Sequence, residues 1–160
     1  MKRAAFVVAF LLSLSLPYTA KADSYANVKV DKLLVSSTTY TGQKLTYNDT
    51  ADPEVTALIV HFPPGGSTGW HKHPIPVYAY ILDGELTINM KDGSSYHFKK
   101  GEVVLEVMNT LHNGVNTGDR ETTLMVFYSG TTGMPNVIKE NVSDTAATPK
   151  NTKDQTLPKP

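Results

Sequence analysis

Residues 71–86 read HKHPIPVYAYILDGEL. Side chains two apart on a strand share a face, so His71 and His73 project together, as two imidazoles gripping one ion would. Pro74 disfavours helical backbone at His73 and keeps the pair extended. The run PVYAYIL (76–82) ends at Asp83-Gly84, and ELTINM (85–90) follows. An Asp-Gly pair between β-rich runs is a hairpin signal. ELTINM alternates, with Leu86, Ile88 and Met90 on one face and Glu85, Thr87 and Asn89 on the other, the pattern of a half-buried strand.

Further strand-like runs flank this stretch. EVTALIVHF (54–62) stops at Pro63-Pro64-Gly65-Gly66. After the turn KDGSS (91–95) come YHFKK (96–100) and GEVVLEV (101–107), in which Val103, Leu105 and Val107 share a phase. In ETTLMVFYSG (121–130), Thr122, Leu124, Val126 and Tyr128 oppose Thr123, Met125 and Phe127. No segment carries a helical stripe, and short strands separated by Gly/Pro turns predict an all-β sandwich or barrel. The core is expected over 54–130. Residues 23–53 hold strand-like pieces such as NVKVDKLLVSS and are expected to form N-terminal strands. Residues 131–160 form a C-terminal extension; from Ser143 onward Leu157 is the sole large apolar residue, and such a composition predicts disorder.

The first 22 residues read as a secretory signal peptide. Lys2 and Arg3 precede the apolar stretch Ala4 to Leu16, and Ala20-Lys21-Ala22 fits a small-x-small cleavage site. The apolar part is short for a membrane span. The chain contains no cysteine, which excludes a lipid-modified cysteine, a disulfide framework and any thiolate ligand. A periplasmic or secreted location is expected. The 160 residues are formally neutral, and removal of the signal leaves 12 basic against 15 acidic residues. With no basic run, neither nucleic acid nor, after signal cleavage, a membrane is an expected partner.

Five histidines occur: His61, His71, His73, His97 and His112. Gly65, His71-Lys72-His73 and Gly84 stand at the spacings of the first cupin motif. Gly101, His112 and Asn116, within GEVVLEVMNTLHNGVN (101–116), stand at those of the second. On these residues the chain resembles a cupin over 54–128. The resemblance implies a double-stranded β-helix, or jelly-roll barrel, with a metal inside near one mouth, and a homodimer through an edge sheet. The family's first motif also carries a glutamate ligand about four residues after the second histidine. Here that place is Val77, followed by Tyr78, and neither is a carboxylate. Counting by twos from His73 gives Ile75, Val77, Ala79 and Ile81 as an apolar inward face. The expected metal ligands are therefore His71, His73 and His112. Val107 and Asn109 replace the second motif's turn proline and glycine; Asn tolerates left-handed backbone and keeps the turn.

Three neutral imidazoles hold Fe, Mn, Ni, Co, Cu or Zn, and the family's three-histidine iron dioxygenases put Fe first. Such a set leaves coordination positions open, the layout of a catalytic site. A divalent ion among three histidines stays near +2, which is costly in an apolar barrel. The expected small-molecule ligand is therefore a hydroxide or a chelating anion. The resulting expectation is an exported, mononuclear metal-dependent oxidoreductase of dioxygenase type. The alternatives are a non-catalytic periplasmic binder of a metal or small ligand, and a Zn-type lyase or hydrolase. His61 is a candidate catalytic group titrating near neutral pH, or an ordinary strand histidine. Tyr78 either packs outward or, through a local bulge, takes the vacated glutamate place as ligand or acid. Glu85, Glu102 and Glu106 fall on polar phases and are expected at the solvated surface, with no general base among them. His97 is expected to face solvent, Trp70 to pack at the rim or at a dimer contact, and Asn116 to hydrogen-bond its loop.

Overall fold

The computed structural model describes residues 27–140. The expected signal peptide and most of the C-terminal stretch expected to be disordered lie outside the described residues. Backbone contacts divide the chain into Met1–Lys32 and Leu33–Pro160. In the first unit, residues 27–32 are irregular and exposed. In the second, the expected N-terminal strands reduce to one isolated bridge, Thr38↔Lys44. Leu33, Leu34 and Val35 find no ladder partner and remain exposed.

Among the described residues nine strands follow: β1 (Pro53–Phe62), β2 (His71–Lys72), β3 (Val77–Asp83), β4 (Glu85–Met90), β5 (Ser95–Lys99), β6 (Val103–Leu105), β7 (His112–Val115), β8 (Thr122–Thr131) and β9 (Ile138–Lys139). They form two sheets, ordered β1-β8-β3-β6 and β5-β4-β7-β2-β9. All the strand pairings are antiparallel. The chain crosses repeatedly from one sheet to the other, which is the connectivity of a jelly roll.

The inward face of β3 and its approach is as the alternation predicts: Ile75, just before the strand, and Val77, Ala79 and Ile81 on it are all at most 3% exposed. Leu86, Ile88 and Met90 from β4, and Leu124, Val126 and Tyr128 from β8, complete the core with Phe62, Val104 and Val107. Burying each of the larger of these side chains stabilises the fold by about 1.5–3 kcal/mol. Phe127, on the opposite phase of β8, is exposed on the outer face.

Two predicted features change. Asp83-Gly84 does not close a hairpin, because β3 and β4 belong to different sheets. It is a corner: Gly84 has φ 78°, and a Cβ there would stand 2.5 Å from Thr122 Oγ1 and 2.8 Å from Thr122 Cα. The true hairpin is β4–β5, closed through KDGSS by the Met90 and Gly93 backbone N–H groups. The second change is the phase of β6. Val104, not Val103 or Leu105, is the fully buried residue, because Val104 pairs with the inward-facing Ala79.

Candidate metal centre

The three predicted histidines come together although they are distant in the chain. His71 on β2 lies directly across from His112 on β7. His73 bridges to Met108, and its carbonyl accepts from the Asn109 N–H at 2.8 Å. Asn109 has φ 54°, the left-handed turn that its residue type permits. All three histidines are at most 5% exposed, and their ring centroids lie 4.4–5.1 Å apart.

Backbone carbonyls set the tautomers. Nδ1 of His71 donates to Gly69 O at 2.9 Å, that of His73 to Asn136 O at 2.7 Å, and that of His112 to Thr110 O at 2.9 Å. A carbonyl only accepts, so each Nδ1 carries a proton and each neutral ring turns an Nε2 lone pair inward. The Nε2 atoms of His71 and His73 face each other at 3.2 Å. Lone pairs so arranged repel unless a cation, either a proton or a metal ion, sits among them.

The fourth member is Glu106, which corrects its predicted place at the surface. Its side chain is 14% exposed, and Oε2 lies 2.9 Å from His112 Nε2 and 3.3 Å from His73 Nε2. The cause is the phase of β6. With Val104 inward, period two carries Glu106 inward as well, and its N–H bonds to Val77 O at 3.0 Å. The carboxylate absent from Val77 is thus supplied from the neighbouring strand, directly across from that residue. GEVVLEV has apolar residues on both phases, so its own pattern left the choice open; the pairing of Val104 with Ala79 makes it.

One donor atom from each of His71, His73, Glu106 and His112 lies within 4.8 Å of the others. The donor set fits a divalent transition metal: three imidazoles and one carboxylate, without thiolate. Burial pushes the His71 pKa down to about 4, since the charged ring is desolvated. Burial would raise the Glu106 carboxyl, but His112 and His73, donating from Nε2 when their rings are protonated, outweigh it and hold the group well below the usual carboxylate range. Burial would likewise lower His112, and the contact with Glu106 reverses this and raises it. The cluster therefore retains a carboxylate at neutral pH.

A cavity of about 60 Å³ adjoins the cluster, walled by Phe62, Leu86, Ile88, Leu124, Val126 and Tyr128. The other sequence candidates lie elsewhere. His61 is exposed on the outer phase of β1, its Nδ1 3.0 Å from Glu121 Oε1. Tyr78 keeps the outward phase of β3, opposite Phe127, with no bulge at that point. It does not replace the glutamate. His97 is exposed and bonds Thr87. Trp70 is half-buried beneath Lys91 Nζ at 4.1 Å. Asn116 is fully buried, and its amide donates to Phe62 O and Arg120 O, the loop-holding role expected for it.

Two antiparallel sheets enclosing this cluster define a double-stranded β-helix. Residues 58–128 match the family model described as the cupin domain, and this segment of the chain is a cupin domain. Solved structures similar to this chain include an uncharacterized conserved protein with a double-stranded beta-helix domain from Klebsiella pneumoniae, 16% identical, TM-score 0.46, covering 58% of this chain and 90% of that one. Another is a cupin domain from Bordetella pertussis, 26% identical, TM-score 0.42, covering 52% and 88%. The DMSP lyase DddQ from Ruegeria pomeroyi is 22% identical with TM-score 0.45, over 53% of this chain and 42% of the lyase. No curated protein matched the chain.

Proposed function

We propose that this chain is an exported, mononuclear metal-dependent oxidoreductase in which His71, His73, Glu106 and His112 hold one divalent transition metal, with Fe first and Mn, Ni, Co, Cu or Zn as the other ions the donors accept. The observation that carries the reading is the convergence of three inward Nε2 lone pairs and one buried carboxylate beside an apolar cavity. Three neutral imidazoles and one carboxylate reduce a divalent charge to about +1. A small chelating anion would neutralise the remainder. Held by these four residues, an iron ion would supply one-electron and O₂ chemistry. The protein's own part is to fix the three tautomers through Gly69, Asn136 and Thr110. The apolar wall keeps bulk water from the bound ligand.

The test begins with metal analysis of the purified protein. It continues with anaerobic Fe(II) loading and oxygen-uptake measurements on small catechols, hydroxybenzoates, diketones and thiols. Uptake that disappears in His112→Ala supports the reading. Metal binding without uptake on any of these overturns the oxidoreductase and leaves a binding protein. The export expectation is checked separately: a secreted mature chain should begin at Asp23, and an intact N-terminus would refute it.

A further inference from the structure

Tyr128 stands in a row with the cluster. It pairs across β8–β3 with Val77, whose carbonyl on the other side accepts from the Glu106 N–H. Tyr128 on β8, Val77 on β3 and Glu106, the residue after β6, thus lie side by side. Tyr128 and Glu106 flank the valine where the family places its carboxylate. The Tyr128 ring is 9% exposed and meets the His73 ring edge-on, centroids 5.6 Å apart.

The polar side chains that line the cavity are the four of the cluster, Thr68 and Tyr128. The cluster members bond one another and the backbone. Thr68 Oγ1 lies 3.0 Å from Gly69 O and accepts from the Gly114 N–H. The Tyr128 hydroxyl alone of these has no hydrogen-bond partner among the described residues. Yet no fully enclosed side-chain oxygen or nitrogen there lacks a partner. The phenol oxygen therefore borders space that a water-sized group can enter, and the wall it belongs to is that of the cavity. A phenylalanine would fill the same apolar wall; the hydroxyl adds a polar group that only something entering the cavity can meet.

We propose that Tyr128 recognises the ligand: its hydroxyl donates a hydrogen bond to one oxygen of a small carboxylate whose other oxygen is held by the metal ion of the His/Glu cluster. This rests on the metal-centre reading above. A phenol O–H needs an acceptor, and the residual positive charge of the loaded cluster favours an anionic one. The cavity's size limits the ligand to a few heavy atoms, and its remaining wall is apolar. Tyr128 thus selects oxyanions over other small metal ligands.

The experiment uses the full mature chain loaded with Co(II), whose visible spectrum reports ligand binding, titrated with acetate and in parallel with methanethiolate. Tyr128→Phe is expected to bind Co(II) as the unaltered protein does. Its acetate affinity should fall about tenfold to a hundredfold, the loss of one hydrogen bond to a charged acceptor. Methanethiolate, which binds a metal through sulfur and offers no oxygen to the phenol, should bind both proteins alike. Equal acetate affinity in the two proteins, or no acetate binding by either, overturns the proposal while leaving the metal centre standing. Loss of Co(II) from Tyr128→Phe alone makes the tyrosine a structural residue and also overturns it. Failure of the unaltered protein to take up Co(II) overturns the metal centre itself, and the proposal with it.

Discussion

Glu106 changes the electrostatics that the histidines would have alone. It removes one unit of positive charge from any ion bound among them and lies 2.9 Å from His112 Nε2. Glu106→Gln keeps the shape and removes the charge. It is expected to weaken metal affinity more than tenfold, measured by competition with a chelator; an unchanged affinity would show that the carboxylate is not a ligand. The metal-free protein should also carry a pH signature. The His71 pKa falls from 6.5 unfolded to about 4 folded, so the unfolded chain binds more protons between those values. Stability is then complete above about 6.5 and falls as the pH drops toward 4, by roughly 3 kcal/mol from this group. Glu106, with its lowered pKa, adds stability that is likewise lost in acid. His112 has the opposite sign: its pKa is raised, so its contribution is lost as pH rises through that value. Urea melts across this range should therefore show a stability maximum near pH 6.5, and a flat profile from pH 4 to 6.5 would contradict the burial of a neutral His71.

Among the elements, the corner between β3 and β4 carries the tightest constraint. Thr122 Oγ1 donates to Glu85 O at 2.7 Å and accepts from Glu85 N at 3.1 Å, so it cannot retreat from a new neighbour. Gly84→Ala puts a methyl group against it at positive φ. A loss of about 2–4 kcal/mol is expected in denaturant melts, from steric overlap and left-handed strain combined. A midpoint shift of zero would mean that the corner relaxes freely. The strand β6 shows the same dependence on neighbours. Its three residues Val103–Leu105 are too few to fix a face by themselves, and pairing with β3 decides that Val104 and then Glu106 turn inward.

At the scale of the whole molecule, the cluster ties together chain segments that meet only in the folded state. His71 and His73 come from one side of β3, Glu106 and His112 from beyond β6. A metal ion bound there binds the native state alone and stabilises it by mass action, about 2.7 kcal/mol at a free concentration one hundred times Kd. Chelator-treated protein should gain several degrees in Tm on metal addition, and the gain should vanish in His112→Ala; an equal gain in that variant would place the binding elsewhere. The sequence by itself determined the all-β class, the inward faces of β3, β4 and β8, and the three histidines, because each of these rests on a clean period of two or a fixed spacing. Only the tertiary structure decided that Asp83-Gly84 turns a corner between sheets, that Glu106 joins the histidines, and that His61 and Tyr78 stand apart from them. The reason is physical: where apolar residues occupy both phases of a short strand, local pattern is degenerate, and the hydrogen-bonded register with the neighbouring strand selects which side chains meet inside.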